Sequence, residues 1–311
     1  MAPIVASYGT IPRPTCSLKE GRRSVANSDL SWSVPVMRAG YIGRGLTYLV
    51  IAGVSLWTIY RGGQAQGTGE SMARLDNSGW GTAVLVLIAL GLFAYLIWRL
   101  VDAWWDLEAY GSGGKGFIAR TGMIVTGVIH GALGVAALSL IFGQGGSDGE
   151  SKIAHYTGEA LAMPYGRYLV GAIGLITLGA GIFYAYKGFA EKYREHLRGN
   201  SVTLHMNWAL KAGLVAQGVI VGVVGLLFCR AALFGDPEQA GGLKQVFEFL
   251  SAQAFGQVIV GVVCVGLLGF ALFCFVNAGY RIIPRVADDD IETLGAQLKQ
   301  LKSKGERSVT A

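Results

Sequence analysis

Charge is what this chain has least of. Only 15% of its residues are Asp, Glu, Lys or Arg, against roughly 25% in an ordinary globular domain. Cysteine is almost as sparse. Cys16, Cys229, Cys264 and Cys274 have no metal-ligand spacing, and three of them lie in or at the end of apolar segments, where a free thiol behaves as a small hydrophobe. A disulfide scaffold and a zinc module are thereby excluded. Histidine occurs four times and never as His-Glu-x-x-His, and no Gly-x-Ser-x-Gly elbow is present. Gly111-Ser112-Gly113-Gly114-Lys115-Gly116 imitates a phosphate loop but lacks the Ser or Thr after Lys and has no strand before it. No catalytic, metal or cofactor site is expected on these grounds.

Long apolar runs are what the chain has instead. Hydrophobic residues make up 52% of it, with 47 glycines and a mean hydropathy of +0.45. Six stretches are long enough at 1.5 Å per residue to cross a hydrocarbon core of about 30 Å. They run from Val36 to Tyr60, Trp80 to Trp104, Phe117 to Phe142, Tyr165 to Phe189, Trp208 to Cys229 and Phe255 to Ile283. A soluble protein of 311 residues has no interior large enough to hide six such rods, so the solvent is lipid. The lipid bilayer is thus the first expected partner.

The net charge of +6 invites a nucleic-acid reading, but position argues against it. All but six of the 26 basic residues fall on one flank of the six stretches; the other flank keeps only Arg61, Arg74, Lys152, Arg167, Arg230 and Lys244. By the positive-inside rule both termini are expected in the cytoplasm. The first 35 residues contain no apolar run before a cleavage site and, with Pro3, Pro12 and Pro14, read as a disordered cytoplasmic arm.

The stretches come as three copies of one unit. Odd-numbered ones open alike: Arg38-Ala39-Gly40 then Gly45, Arg120-Thr121-Gly122 then Gly127, Lys211-Ala212-Gly213 then Gly218. Even-numbered ones close alike: Leu90-Gly91 then Tyr95 and Arg99, Leu178-Gly179 then Phe183 and Lys187, Leu268-Gly269 then Phe273 and Asn277. Two spans per unit make the copies parallel. The expected organisation is an arm (1–35), repeats at 36–110, 111–197 and 198–283, and an amphipathic cytoplasmic tail (284–311). The expected fold is an all-α membrane protein of six transmembrane helices, as a pseudo-threefold ring of hairpins or as three hairpins in a row.

At these residues, roughly Val36 to Ile283, the chain resembles the bacterial membrane family catalogued as domain of unknown function 1206. The resemblance implies a bacterial inner-membrane protein with three helix pairs. It carries over no catalytic residue and no cofactor.

Intramembrane polar groups are the candidate site: Arg44, His130, Gln217, Arg99, Lys187 and Asn277. His130 aligns with Tyr48 and Val221, so a histidine-specific role occurs once. It is either a neutral imidazole bonded to a neighbouring helix or a group with a proton-relay or cofactor role. Arg44 aligns with Thr126 and Gln217 and is expected to snorkel or to pair with Asp102. Arg99, Lys187 and Asn277 rim a vestibule if the repeats surround an axis, and otherwise are boundary anchors beside Trp98, Trp104, Trp105 and Tyr184. Asp102 and Asp106 read as a solvated helix flank. Gly127-x-x-x-Gly131 and Gly218-x-x-x-Gly222 offer faces for internal packing or for a membrane-protein partner. Ile291, Leu294, Leu298 and Leu301 form one stripe of a tail helix suited to a partner, the inner leaflet or another copy of the chain. The functional expectation is a non-enzymatic accessory or scaffold subunit; the alternative is a small-solute or ion transporter with a polar passage near the repeat axis, and a lipid or quinone enzyme ranks third.

Overall fold

The computed structural model describes residues 30–76, 79–143, 149–286 and 292–309. The expectations for the arm, Cys16 and Ile291 therefore fall outside the described residues, apart from the arm's last six positions. Among the described residues six helices are long and apolar enough to cross a membrane: α1 (Ser33–Tyr60), α3 (Gly81–Trp105), α4 (Gly114–Ile141), α6 (Gly166–Phe189), α8 (Asn207–Phe234) and α10 (Gly256–Tyr280). Between the paired spans lie α2 (Thr68–Asp76), α5 (Gly149–Ala162) and α9 (Leu243–Ser251), so each Gly-rich loop within a pair carries a short helix. A short α7 (Ser201–His205) precedes α8, and α11 (Leu294–Val309) closes the chain. The protein is an all-α membrane protein with three repeated helix pairs.

Helix boundaries follow local chemistry. α1 starts three residues before the expected Val36, since Pro35 is tolerated in a first turn and Leu30 O accepts from Ser33 N at 3.0 Å and Ser33 Oγ at 2.7 Å. α10 stops at Tyr280, three residues short of Ile283, because Arg281 turns extended and pairs with Leu197. At the turns from α5 into α6 and from α9 into α10, Tyr165 and Phe255 take left-handed dihedrals (φ 63° and 60°). The residues that follow must be Gly166 and Gly256, since a Cβ there would run into the carbonyls of Ala160 and Ser251.

The surface is apolar where lipid would lie. Leu87, Leu90, Ile176 and Val262 are all largely exposed along the spans. Polar side chains turn inward, the reverse of a soluble bundle. Glycine seams hold neighbouring spans together at backbone distance. A Cβ on Gly40 would sit 2.7 Å from Tyr95 Cα, one on Gly43 would sit 2.5 Å from Gly91 Cα, and Gly213 abuts Gly269 just as closely. Gly127 and Gly131 lie against Arg99 and Leu96 of α3, while Gly218 and Gly222 lie against α6 at Ala185 and Gly181. Side by side the spans run α4, α3, α1, α10, α8, α6. This is a ring with five packed seams, and among the described residues α4 and α6 have no comparable seam to close it.

The tail folds back on the chain. Arg198 N donates to Tyr280 O at 2.9 Å, Leu294 N donates to Leu197 O at 2.8 Å, and Leu294 is fully buried. Leu298 packs on the same cluster, and Leu301 is half exposed. Leu294 and Leu298, two of the four stripe residues expected to meet a partner, therefore rest on this chain's own basic face.

Candidate functional site

Arg44 lies eleven residues into α1, about 16 Å from its start, and is 5% exposed. It neither snorkels nor meets Asp102. Its Nη1 donates to Tyr95 Oη at 2.9 Å, and its guanidinium stands 4.9, 5.1 and 5.8 Å from the ring centres of Phe270, Tyr95 and Tyr48. Such cation–π contacts are worth about 0.5–2 kcal/mol each. They are no substitute for a counter-ion, because a charge taken out of water costs several kcal/mol. The Nε of Arg44 is buried without a partner.

Side chains of the other spans gather around this cation and its ring partners. His130 of α4 packs against Tyr95 with ring centres 4.9 Å apart and the planes tilted by 55°. Its Nδ1 is 2.7 Å from Thr126 O, so the ring donates there and leaves Nε2 as an acceptor with no partner. Gln217 of α8 donates from Nε2 to Tyr48 Oη at 3.2 Å, and its Oε1 is buried and unbonded. Tyr184 of α6 and Cys274 of α10 complete the surroundings. Three unsatisfied polar atoms thus gather within one ring of helices, where the usual rule is that buried polar groups are paired.

Nearer the basic face a second layer is tightly paired. Arg99 Nε donates to Tyr95 Oη at 3.0 Å, and its Nη1 lies 3.3 Å from Asp102 and 3.7 Å from Glu108. Arg281 closes a short ion pair with Glu108 and donates to Asn277 Oδ1 at 2.7 Å. Asn277 in turn donates to Phe273 O at 2.7 Å. Lys187 stands beside Arg281, Glu108 and Arg99 with no ion pair of its own among the described residues. Across both layers four cationic side chains (Arg44, Arg99, Lys187, Arg281) face two carboxylates (Asp102, Glu108). The interior is short of negative charge.

The carboxylates correct one sequence expectation. Asp102 is fully buried and Asp106 is 5% exposed, so neither is a solvated flank. Asp106 takes the left-handed conformation at the end of α3, accepts from Tyr110 N and Gly111 N at 2.9 and 3.0 Å, and holds Arg285 at 3.2 Å and Arg120 at 3.5 Å. Burial alone would raise the Glu108 carboxyl. Arg281 and Arg99 more than offset that and hold it well below the usual carboxylate range. Burial, reinforced by Arg281 and Lys187, lowers His196 to about 4 and keeps it neutral.

All six expected polar residues thus sit on the inside of the ring: Arg44, His130 and Gln217 in the deeper layer, Arg99, Lys187 and Asn277 in the outer one. Reading the sequence missed Glu108 and Arg281, which lie beyond the ends of their helices, and the tyrosines 41, 48 and 95. A usable signal was present: Tyr95 precedes Arg99 by one turn, and its repeat equivalents Phe183 and Phe273 carry no hydroxyl.

A ring of six spanning helices built from three repeats, with its charge turned inward, defines an integral membrane protein of internal-repeat type. The family model described as Domain of Unknown Function (DUF1206) matches residues 39–106, 121–191 and 212–281. The chain belongs to that family. It is 24% identical over 254 residues to the Bacillus subtilis (strain 168) protein printed as "Uncharacterized protein YxxB", covering 80% of this chain and 92% of that one. No solved structure matches it.

Proposed function

We propose that the protein sits in a bacterial inner membrane with both termini in the cytoplasm, and that its ring binds a small anion at Arg44 as part of solute transport. The carrying observation is the guanidinium of Arg44: 5% exposed, without a carboxylate partner among the described residues, with Nε unbonded, and faced by rings of Tyr48, Tyr95 and Phe270 from three spans. An anion would accept from Arg44 and Tyr95, while the amide of Gln217 and the imidazole of His130 adjust to it. The outer layer of Arg99, Lys187 and Arg281 would draw such an anion from the basic side. The basic flank supports the orientation.

The test is thermal unfolding of the purified protein in detergent across small carboxylates, phosphate and sulfate at fixed ionic strength. At least one anion should stabilise the wild type, by about 2.7 kcal/mol at a hundredfold excess over its Kd, and should lose that effect in Arg44→Gln. An Arg44→Gln protein that responds like the wild type would sink the reading.

A second reading, an accessory or scaffold subunit, is favoured by α6, whose buried positions Gly166, Val170, Gly174, Gly181 and Gly188 leave most of its apolar surface exposed. The glycine faces once offered for a partner do not support it, because Gly127, Gly131, Gly218 and Gly222 pack within the bundle. Recovery of a stoichiometric membrane partner in mild detergent would favour this second reading.

A further inference from the structure

The three repeats do not pack alike. In the first and third, the two spans meet along one stripe. Its members Thr47 and Ile88 are 3% and 0% exposed in repeat 1, and Ile220 and Phe273 are 6% and 8% exposed in repeat 3. The same stripe in repeat 2 is open. Gly122 and Gly179 would place a Cβ in empty space, and Val125, Ile129, Ile176 and Phe183 are 52–73% exposed. The sequence contains a reason. One position facing the partner span is Gly43 in repeat 1, set against the backbone of Gly91, and Ala216 in repeat 3, whose methyl meets Gly266, but it is Val125 in repeat 2, and a branched side chain cannot enter so close a seam. The result is an apolar slot between α4 and α6.

Charge says what fills it. Continued toward the basic face, the two stripes end in Lys115, one turn before Ile118 on α4, and in Lys187, one turn after Phe183 on α6. Neither lysine has an ion pair among the described residues, whereas Arg99, Arg120, Arg281 and Arg285 are all paired with carboxylates. A second protein helix would bury both ammonium groups without relief. A lipid whose phosphate sits between them and whose acyl chain runs up the slot satisfies both features at once.

We propose that the slot between α4 and α6 is a binding site for an anionic phospholipid, with its headgroup on Lys115 and Lys187 and a chain along Gly122, Val125, Gly179 and Phe183. This inference does not depend on the anion site at Arg44.

Native mass spectrometry of the delipidated full-length protein tests it, using phosphatidylglycerol and phosphatidylcholine of identical chains. Phosphatidylglycerol should be retained selectively. Lys115→Ala combined with Lys187→Ala should weaken it about 30-fold, at roughly a factor of five per lysine. Gly179→Leu fills open space, leaves the fold intact and should displace the lipid even with both lysines present. Arg44→Gln should leave retention unchanged. Equal retention of the two lipids, full competition by glycerol phosphate lacking acyl chains, or a dimer cross-linked through Gly179→Cys in a chain lacking its native cysteines would each overturn the proposal.

Discussion

Replacing Glu108 by Gln removes the one carboxylate that both Arg281 and Arg99 approach. The side chains of Glu108 and Arg281 are 2% and 7% exposed, and that of Arg99 is 13% exposed. Breaking a buried pair by neutralising one partner costs about 3–5 kcal/mol, because the other charge stays buried. Here Asp102 still serves Arg99 at 3.3 Å, so the loss should fall on Arg281 and sit near the lower end, about 3 kcal/mol. Equilibrium unfolding in mixed micelles of a mild detergent and dodecyl sulfate reads it. The double variant Glu108→Gln/Arg281→Gln should recover part of the deficit, with a coupling of about 1–3 kcal/mol. The pH dependence has a definite sign. Glu108 is held below its ordinary 4.5, so its contribution is complete above about that pH and is lost as the pH falls through the lower folded-state value. His196, lowered to about 4, adds to this: its contribution is complete above its ordinary 6.5 and drains away as the pH falls toward 4. The wild type should therefore weaken in acid in two stages, and Glu108→Gln should show only the histidine stage. A Glu108→Gln protein within 0.5 kcal/mol of wild type at neutral pH, smaller than typical coupling in a buried network, would refute the reasoning.

Valine at Gly40, Gly122 and Gly213 makes one substitution at three equivalent sites. Gly40→Val and Gly213→Val should each destabilise by about 1–3 kcal/mol or more through overpacking, and Gly122→Val should stay within about 0.5 kcal/mol, all measured in the same micelles; three equal losses would mean that repeat 2 is closed like the others. A periplasm-sensitive reporter fused after Ala311 should be silent while a cytoplasmic one is active. The opposite pattern would invert the orientation.

Much of this architecture was legible because lipid imposes simple rules. Six apolar runs of the right length can only be helices, and the repeated Arg-x-Gly and Leu-Gly signatures locate equivalent positions without any structure. The inward turn of Arg44, His130 and Gln217 follows from the cost of presenting them to acyl chains. The ion-pair layer was not legible in the same way. Glu108, Arg281 and His196 belong to three connecting segments that come together only in the folded protein. No periodicity marks a loop carboxylate as interior, so Asp102 and Asp106 looked like ordinary helix-end charges. The unequal repeats lie between these cases. Gly43, Val125 and Ala216 stand aligned in the sequence, but only the packing of the first and third pairs reveals that a valine there matters.

Because two helix pairs meet at backbone distance and one does not, stiffness is distributed unevenly around the ring. Lateral pressure or a change in bilayer thickness will find little give at Gly43 or Gly213, where no side chain is available to rearrange. Such strain will be taken up between α4 and α6. The middle repeat is therefore the compliant sector of the wall.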